Sequence, residues 1–169
     1  MEIEITEINY ADSIHAEGLV EVINSYASDP VGGAKPLTAE VRARLVPALR
    51  DQPHSLVLLA LDGGRPVGVA VCFFGLSTFL ARPLLNIHDL AVVPANRGQG
   101  IGRALLKTAE RRALQRGCCK LTLEVQEDNT RARNLYGRFG FTDFLVGNSA
   151  PTRFLAKKLS TTDVSDPTG

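Results

Sequence analysis

Asn96-Arg97-Gly98-Gln99-Gly100-Ile101-Gly102-Arg103 decides how the rest of the chain is read. A β-branched apolar run over residues 87–93 leads into it through Pro94, and an amphipathic helix over residues 101–116 leads out. Strand, glycine turn and helix N-terminus in that order form an anion site from backbone alone. The first N–H groups of a helix have no partner inside it, and the aligned peptide dipoles put roughly half a positive charge at that end. Gly98, Gly100 and Gly102 let the main chain close around a phosphate with no Cβ in the way. The stretch is built to hold a phosphorylated ligand.

Spacing separates the families that use this physics. A P-loop needs a Lys-Ser/Thr pair after its last glycine, whereas Gly102 is followed by Arg103 and Ala104. A dinucleotide fingerprint reads G-x-G-x-x-G near the start of a βαβ unit, with an acidic residue about 20 positions on. Glu124 lies near that distance, but the glycine register here is G-x-G-x-G and sits well inside the chain. Arg97-Gly98-Gln99-Gly100-Ile101-Gly102 instead resembles, position by position, R/Q-x-x-G-x-G/A, the acetyl-CoA pyrophosphate loop of the GNAT N-acetyltransferases. Further on, Asn129-Thr130-Arg131-Ala132-Arg133-Asn134-Leu135-Tyr136-Gly137-Arg138-Phe139-Gly140-Phe141 is similar to that superfamily's N-x-x-A-x-x-L-Y-x-x-x-G-F segment. Asp89-Leu90-Ala91-Val92-Val93-Pro94 looks like its fourth strand. The resemblance covers roughly residues 67–159, in the family's order. It implies an α/β GNAT (acyl-CoA N-acyltransferase) fold, a mixed and mostly antiparallel sheet flanked by helices on both faces. Taken alone, the glycine turn also fits a purely structural αβ connection.

Composition narrows the class. At 169 residues the chain predicts one domain over residues 1–159, large enough for a proper core, with a polar disordered tail at 160–169. A net charge of +1 with interspersed signs argues against nucleic acid as an obligate partner. Met1-Glu2-Ile3-Glu4 lacks the basic and apolar regions of a signal peptide, and no window reaches 18 apolar residues, so neither export nor a membrane is expected. Cys72, Cys118 and Cys119 read as reduced, buried thiols of a cytoplasmic protein. No C-x-x-C or H-E-x-x-H spacing implies a metal.

Periodicity predicts a short first strand at Ile3, Ile5 and Ile8, and a helix over 14–27 capped by Asp12 or Ser13. A second helix begins at Thr38 and is limited by Pro47. Strands follow over 55–61 and 67–74, joined by Asp62-Gly63-Gly64-Arg65, and a third over 84–93. In the helix after the glycine turn, Leu105, Leu106, Ala109, Ala113 and Leu114 face inward. A strand over 121–125, a helix over 130–139 and two last strands over 141–146 and 153–159 complete the expected sheet.

Acetyl transfer from a thioester to an amine needs a held thioester, a deprotonated amine, a stabilised oxyanion and a protonated leaving thiolate. The backbone of Gly98, Gln99, Gly100, Ile101 and Gly102 is expected on the pyrophosphate, with Arg97 and Arg103 adding charge; Arg103 equally fits a solvated helix face. The resemblance implies that pantetheine slips between the fourth and fifth strands. The backbone of Leu90, Ala91 and Val92 would then supply its amide and oxyanion contacts. It also implies cofactor contacts for Asn129, whose other role is a helix N-cap, and for Asn134. Arg131, Arg133 and Arg138 are open candidates for the nucleotide phosphate. Tyr136 matches the family tyrosine that protonates the departing sulfur; its alternative is a half-buried core tyrosine.

The base is less plain. His88 stands where the spermidine/spermine acetyltransferase pattern L-E-D has Glu, which counts against a polyamine acceptor. Imidazole can accept an amine proton, and His88 also fits a substrate contact or a satisfied core residue. Alternation groups Asn86, His88 and Leu90 on one face until a bulge resets it, and turns Asp89 the other way as a structural residue. Asp29, in a Pro/Gly loop, reads as an ammonium contact or a turn residue. Phe74, Leu76 and Phe79 read as an apolar wall near the acceptor, as core, or as dimer contacts. The expected function is direct acetyl transfer from acetyl-CoA to a primary amine of a small metabolite, amino acid or peptide, in a homodimer. The rival is a non-catalytic acyl-CoA-binding module on the same fold.

Overall fold

The computed structural model describes residues 3–145 and 150–157. Its elements are β1 (Ile3–Glu7), α1 (Ser13–Ser28), α2 (Ala39–Arg50), β2 (Ser55–Asp62), β3 (Arg65–Ser77), β4 (Arg82–Val92), α3 (Ile101–Gln115), β5 (Leu121–Leu123) and α4 (Thr130–Phe139). Short 3-10 turns occupy Pro30–Gly32 and Pro94–Asn96. The strands lie side by side in chain order, antiparallel from β1 to β4 and parallel between β4 and β5. This is the mixed, mostly antiparallel α/β sheet expected.

Local chemistry explains the connections. The β2–β3 turn needs two left-handed residues to match strand twist, and Gly63 (φ 56°) and Gly64 (φ 81°) supply them. Asp12, not Ser13, caps α1 by accepting the Ile14 N–H at 2.8 Å. α2 runs three residues past Pro47, with Leu49 buried beyond the proline holding its last turn down.

Both faces of the sheet are covered, so β2 reads as a continuous apolar run. α1 and α2 bury Leu19, Val22 and Leu49 against Val57, Leu59, Val69, Val71 and Ala91. α3 buries Leu105, Leu106 and Ala109 against Leu58, Ala70, Cys72, Leu85 and Ile87. Each fully buried leucine contributes about 2 kcal/mol. α4 adds Leu135, Tyr136 and Phe139 to the α3 side.

Several expectations need correction. Leu114 is 70% exposed, because it follows Glu110 by one helical turn on the wet side of α3. Cys72 and Cys118 are buried, but Cys119 is only half-buried. β5 stops at Leu123 rather than Val125. Residues 141–145 and 150–157 form no strand; Thr152 N–H bonds Phe144 C=O at 3.1 Å, and Phe154 (77%) and Leu155 (84%) stand exposed. Apolar runs become strands only where a sheet and a covering layer take them up. Val146, Lys158, Leu159 and the tail at 160–169 lie outside the described residues.

Candidate active site

A bulge in β4 shapes the site. Val71 pairs with Asp89 and Cys72 with Ile87, so His88 is the extra residue. Before the bulge Leu85 and Ile87 face α3; after it Leu90 and Val92 do. Asn86 pairs with Phe73 on the α1/α2 face, and His88 sets its ring edge-on to Phe73 at 5.5 Å. Asp89 pairs with Val71 on that same face. The bulge therefore parts Leu90 from His88 and brings Asp89 to the histidine's side, reversing the grouping that plain alternation predicts.

The bulge also ends the pairing of β4 with β5, whose last rung is Ile87 with Leu123. Just before the split, Asn86 donates its amide to Thr122 Oγ1 at 3.1 Å. Val93 donates its N–H to Val67 C=O on β3 at 2.9 Å. Alternation then turns the main chain of Leu90 and Val92 to the opposite, open edge. A cleft of about 750 Å³ fills the space between that edge, the glycine turn and α4.

The turn presents donors to this cleft. Gly98 (φ 78°) and Gly100 (φ 81°) adopt left-handed backbone, and Gly100 occupies the N-cap of α3 with no side chain to cap it. The first bond of that helix runs from Ala104 N–H to Gly100 C=O at 3.0 Å. The N–H groups of Ile101, Gly102 and Arg103 precede it and are free for an anion. Gly102 serves differently: a Cβ there would lie 3.1 Å from Leu135 Cδ2, so its smallness lets α3 approach α4. Gly68 on β3 seats the start of α3, since its Cβ would meet Ile101 Cγ2 at 3.1 Å.

Of the sequence candidates, Leu90, Ala91, Val92, Arg97, Gly98, Gly100, Ile101, Gly102 and Arg103 line the cleft from one side. Asn129, Asn134 and Tyr136 line it from the other. Gln99 is not among the lining residues; its amide turns back to Ala95 C=O at 3.4 Å. His88 lies outside this lining and is exposed. Asn129 caps α4 through Ala132 N–H at 3.1 Å while also facing the cleft. Arg131 and Arg138 reach the cleft, whereas Arg133 bonds Glu127 C=O at 3.0 Å.

Burial, then the nearby Tyr26 and Asp89, push the Tyr136 phenol up to about 12. It stays protonated across the neutral range. Burial also raises the Asp89 carboxyl above the ordinary carboxylate range, against the pull of neighbouring His88. Burial, then the Asp89 charge, raises Tyr26 as well, so the three groups lie within electrostatic reach of one another. Alternation alone hides this cluster, because it forms only once the bulge turns Asp89. A pairing also escapes sequence reasoning: Arg97 meets Asp29 at 2.8 Å and donates Nε–H to Val92 C=O at 2.9 Å. Among the described residues no group of His, Cys, Asp and Glu converges as metal ligands do, and no helix is long and apolar enough to cross a membrane.

Known proteins agree with this geometry. Residues 19–141 match the model of the acetyltransferase (GNAT) family. YhfO of Bacillus subtilis (strain 168), an uncharacterized N-acetyltransferase, is 30% identical over 142 residues, covering 80% of this chain and 89% of that protein. The thialysine N-epsilon-acetyltransferase of Bos taurus is 39% identical over 96 residues, 53% of this chain and 56% of that enzyme. In structure, the chain superposes on AAC(6')-Iy in complex with the bisubstrate analog CoA-S-monomethyl-acetylneamine. The TM-score is 0.73 at 15% identity, over 94% of this chain and 100% of the other, a likeness of fold. With the motifs, the splayed strands and the family match in agreement, the chain is an acyltransferase belonging to the GNAT family.

Proposed function

We propose that the chain transfers acetyl from acetyl-CoA to a primary amine of a small metabolite, amino acid or peptide, by direct attack in a ternary complex. The observation that carries this reading is the run of unpartnered amides at Ile101–Arg103 beside an open strand edge, with a protonated phenol across the cleft. The diphosphate of acetyl-CoA rests on those amides. Its pantetheine arm adds to the open edge of β4 at Leu90 and Val92, and a main-chain N–H there stabilises the thioester oxyanion.

The amine enters from the α1/α2 side, past His88 and Phe73. An ammonium gives its proton to the Asp89 carboxylate, and His88 passes it to solvent. The amine nitrogen then bonds the thioester carbon and the C–S bond breaks. Tyr136 donates its phenolic proton to the leaving sulfur and regains one from solvent or from the amide-forming nitrogen. Acetyl reaches the amine without an enzyme-bound intermediate: burial pushes the Cys72 thiol up to about 12, far from a ready thiolate.

Thiol release from acetyl-CoA across a panel of amines, thialysine included, tests the reading. Intersecting double-reciprocal lines with a productive amine are expected; parallel lines would overturn direct transfer. Binding of acetyl-CoA with no turnover on any amine would favour the non-catalytic module.

A further inference from the structure

The loop between α1 and α2 and the turn before α3 are far apart in sequence, yet one side-chain pair joins them. Asp29 and Arg97 meet at 2.8 Å with only 15% and 21% of their side chains exposed. Each end is fixed again by backbone. Arg97 Nε–H bonds Val92 C=O at 2.9 Å, on the open edge of β4. Asp29 Oδ1 accepts Val31 N–H at 3.2 Å, and its own C=O accepts Gly32 and Ala34 N–H at 2.8 and 3.0 Å. The loop packs closely on α1 at this point: a Cβ on Gly32 would lie 1.9 Å from Tyr26 C=O. Tyr26 and Val31, on either side of Asp29, both line the cleft.

We infer that the Asp29–Arg97 pair is a positioning strut that hangs the acceptor-side wall, Tyr26 and Val31, from the cofactor turn. The inference rests on the acetyl-transfer reading for its catalytic consequence, but not for its structural one. One short pair fixes the wall relative to Val92, the strand residue beside the thioester. Movement of either partner is felt by the other, so a turn ordered by the diphosphate also orders the wall. A half-buried pair with both charges anchored by further hydrogen bonds has the geometry for such coupling, unlike a solvent-exposed bridge. The arrangement also engages the Arg97 guanidinium with Asp29, while Arg103, Arg131 and Arg138 line the same cleft.

Asp29→Asn isolates the pair, because an amide oxygen can still accept from Val31 N–H while the charge is lost. Hydrogen exchange on the full chain without ligand reads the coupling. Exchange at residues 97–100 and at 31–34 should both rise by roughly fivefold in Asp29→Asn, and Asp29→Glu should recover part of the protection. A rise confined to 31–34 would overturn the strut. With acetyl-CoA added, calorimetry should show an affinity changed less than about threefold, while KM for thialysine or another productive amine rises more than kcat falls. An unchanged amine KM would overturn the catalytic part. Failure of acetyl-CoA to bind the wild-type chain would sink the acetyl-transfer reading and leave the exchange result to judge the strut.

Discussion

The two halves of the cleft are made of different materials. On the proposed reading the cofactor half is backbone: the open edge of Leu90 and Val92, and the amides of α3 behind Gly98 and Gly100. On that same reading the acceptor half is side chain: Tyr26 and Arg97 on the cleft wall, with Asp29, Asp89 and the exposed His88 beside the cleft rather than in its lining. A backbone site needs only glycines at the right spacing, and it admits one kind of ligand. A side-chain site depends on where a bulge falls and which loops meet, and its ligand changes with a few residues. On the proposed reading, the comparison teaches that the shared chemistry is written locally and the acceptor choice in three dimensions.

Variants on the acceptor half should show the largest effects. Asp89→Asn is expected to lower turnover by about 10²–10³-fold. The wild-type rate should fall as pH drops through the raised Asp89 pKa, and the Asn variant should lose that limb of the pH–rate profile. His88→Ala should cost about tenfold and keep the limb, since the histidine only hands the proton on. Stability moves the other way. A carboxyl whose pKa is raised by folding favours the native state below its unfolded pKa, and that benefit is lost as pH rises through the folded value. Asp89→Asn should therefore melt above wild type at neutral pH, with the two curves converging in acid. A variant that is slow but no more stable would mean the carboxylate is not desolvated as described.

Tyr136→Phe comes next, at about 10²-fold in kcat with acetyl-CoA affinity little changed. A thiolate is a fair leaving group, with an ordinary thiol pKa near 8.5, so protonation matters less here than amine deprotonation. An aryl-thiol acetyl donor, which leaves without help, should narrow the gap between variant and wild type; an equal gap would remove Tyr136 as the acid.

What the sequence disclosed follows the same division. The turn at residues 97–102, the helix that starts at Ile101 and the helix at Thr130–Phe139 were legible because glycine register and helical period are local properties. The β2–β3 hairpin was legible for the same reason, marked by Gly63 and Gly64 at its turn, whereas the pairing of β1 with β2 and of β4 with β5 joins strands separated by helices and carries no local mark. Asp89 was misplaced because alternation assumes an unbroken ladder, and the extra residue at His88 is visible only once β3 is laid beside β4. Asp29 was left between two roles because its partner lies 68 positions away by residue number (97 − 29), beyond any pattern in the chain. The strands expected over 141–146 and 153–159 rested on apolar spacing; among the described residues Phe141 packs on Tyr136 and Phe139 without joining the sheet, and Phe144, Leu145, Phe154 and Leu155 stand exposed.

The cofactor half should answer more gently, and its glycines should not answer alike. Gly100→Ala forces a Cβ into left-handed backbone at φ 81°, at a cost of about 1–2 kcal/mol. Because that conformation aims the α3 amides, acetyl-CoA affinity should fall with stability, by about tenfold. Gly102→Ala carries no such strain. Alanine within a helix gains about 0.5–1 kcal/mol over glycine, while its Cβ presses Leu135 at 3.1 Å. The two terms nearly cancel, so the melting temperature should barely move. Leu135 neighbours Tyr136 on α4, however, and a displaced Leu135 carries the phenol with it. The expected signature is a modest loss of kcat with unchanged acetyl-CoA affinity, the reverse of Gly100→Ala. Should calorimetry instead find the two variants equally weakened for acetyl-CoA, then both glycines act through backbone donors, and the packing role of Gly102 falls.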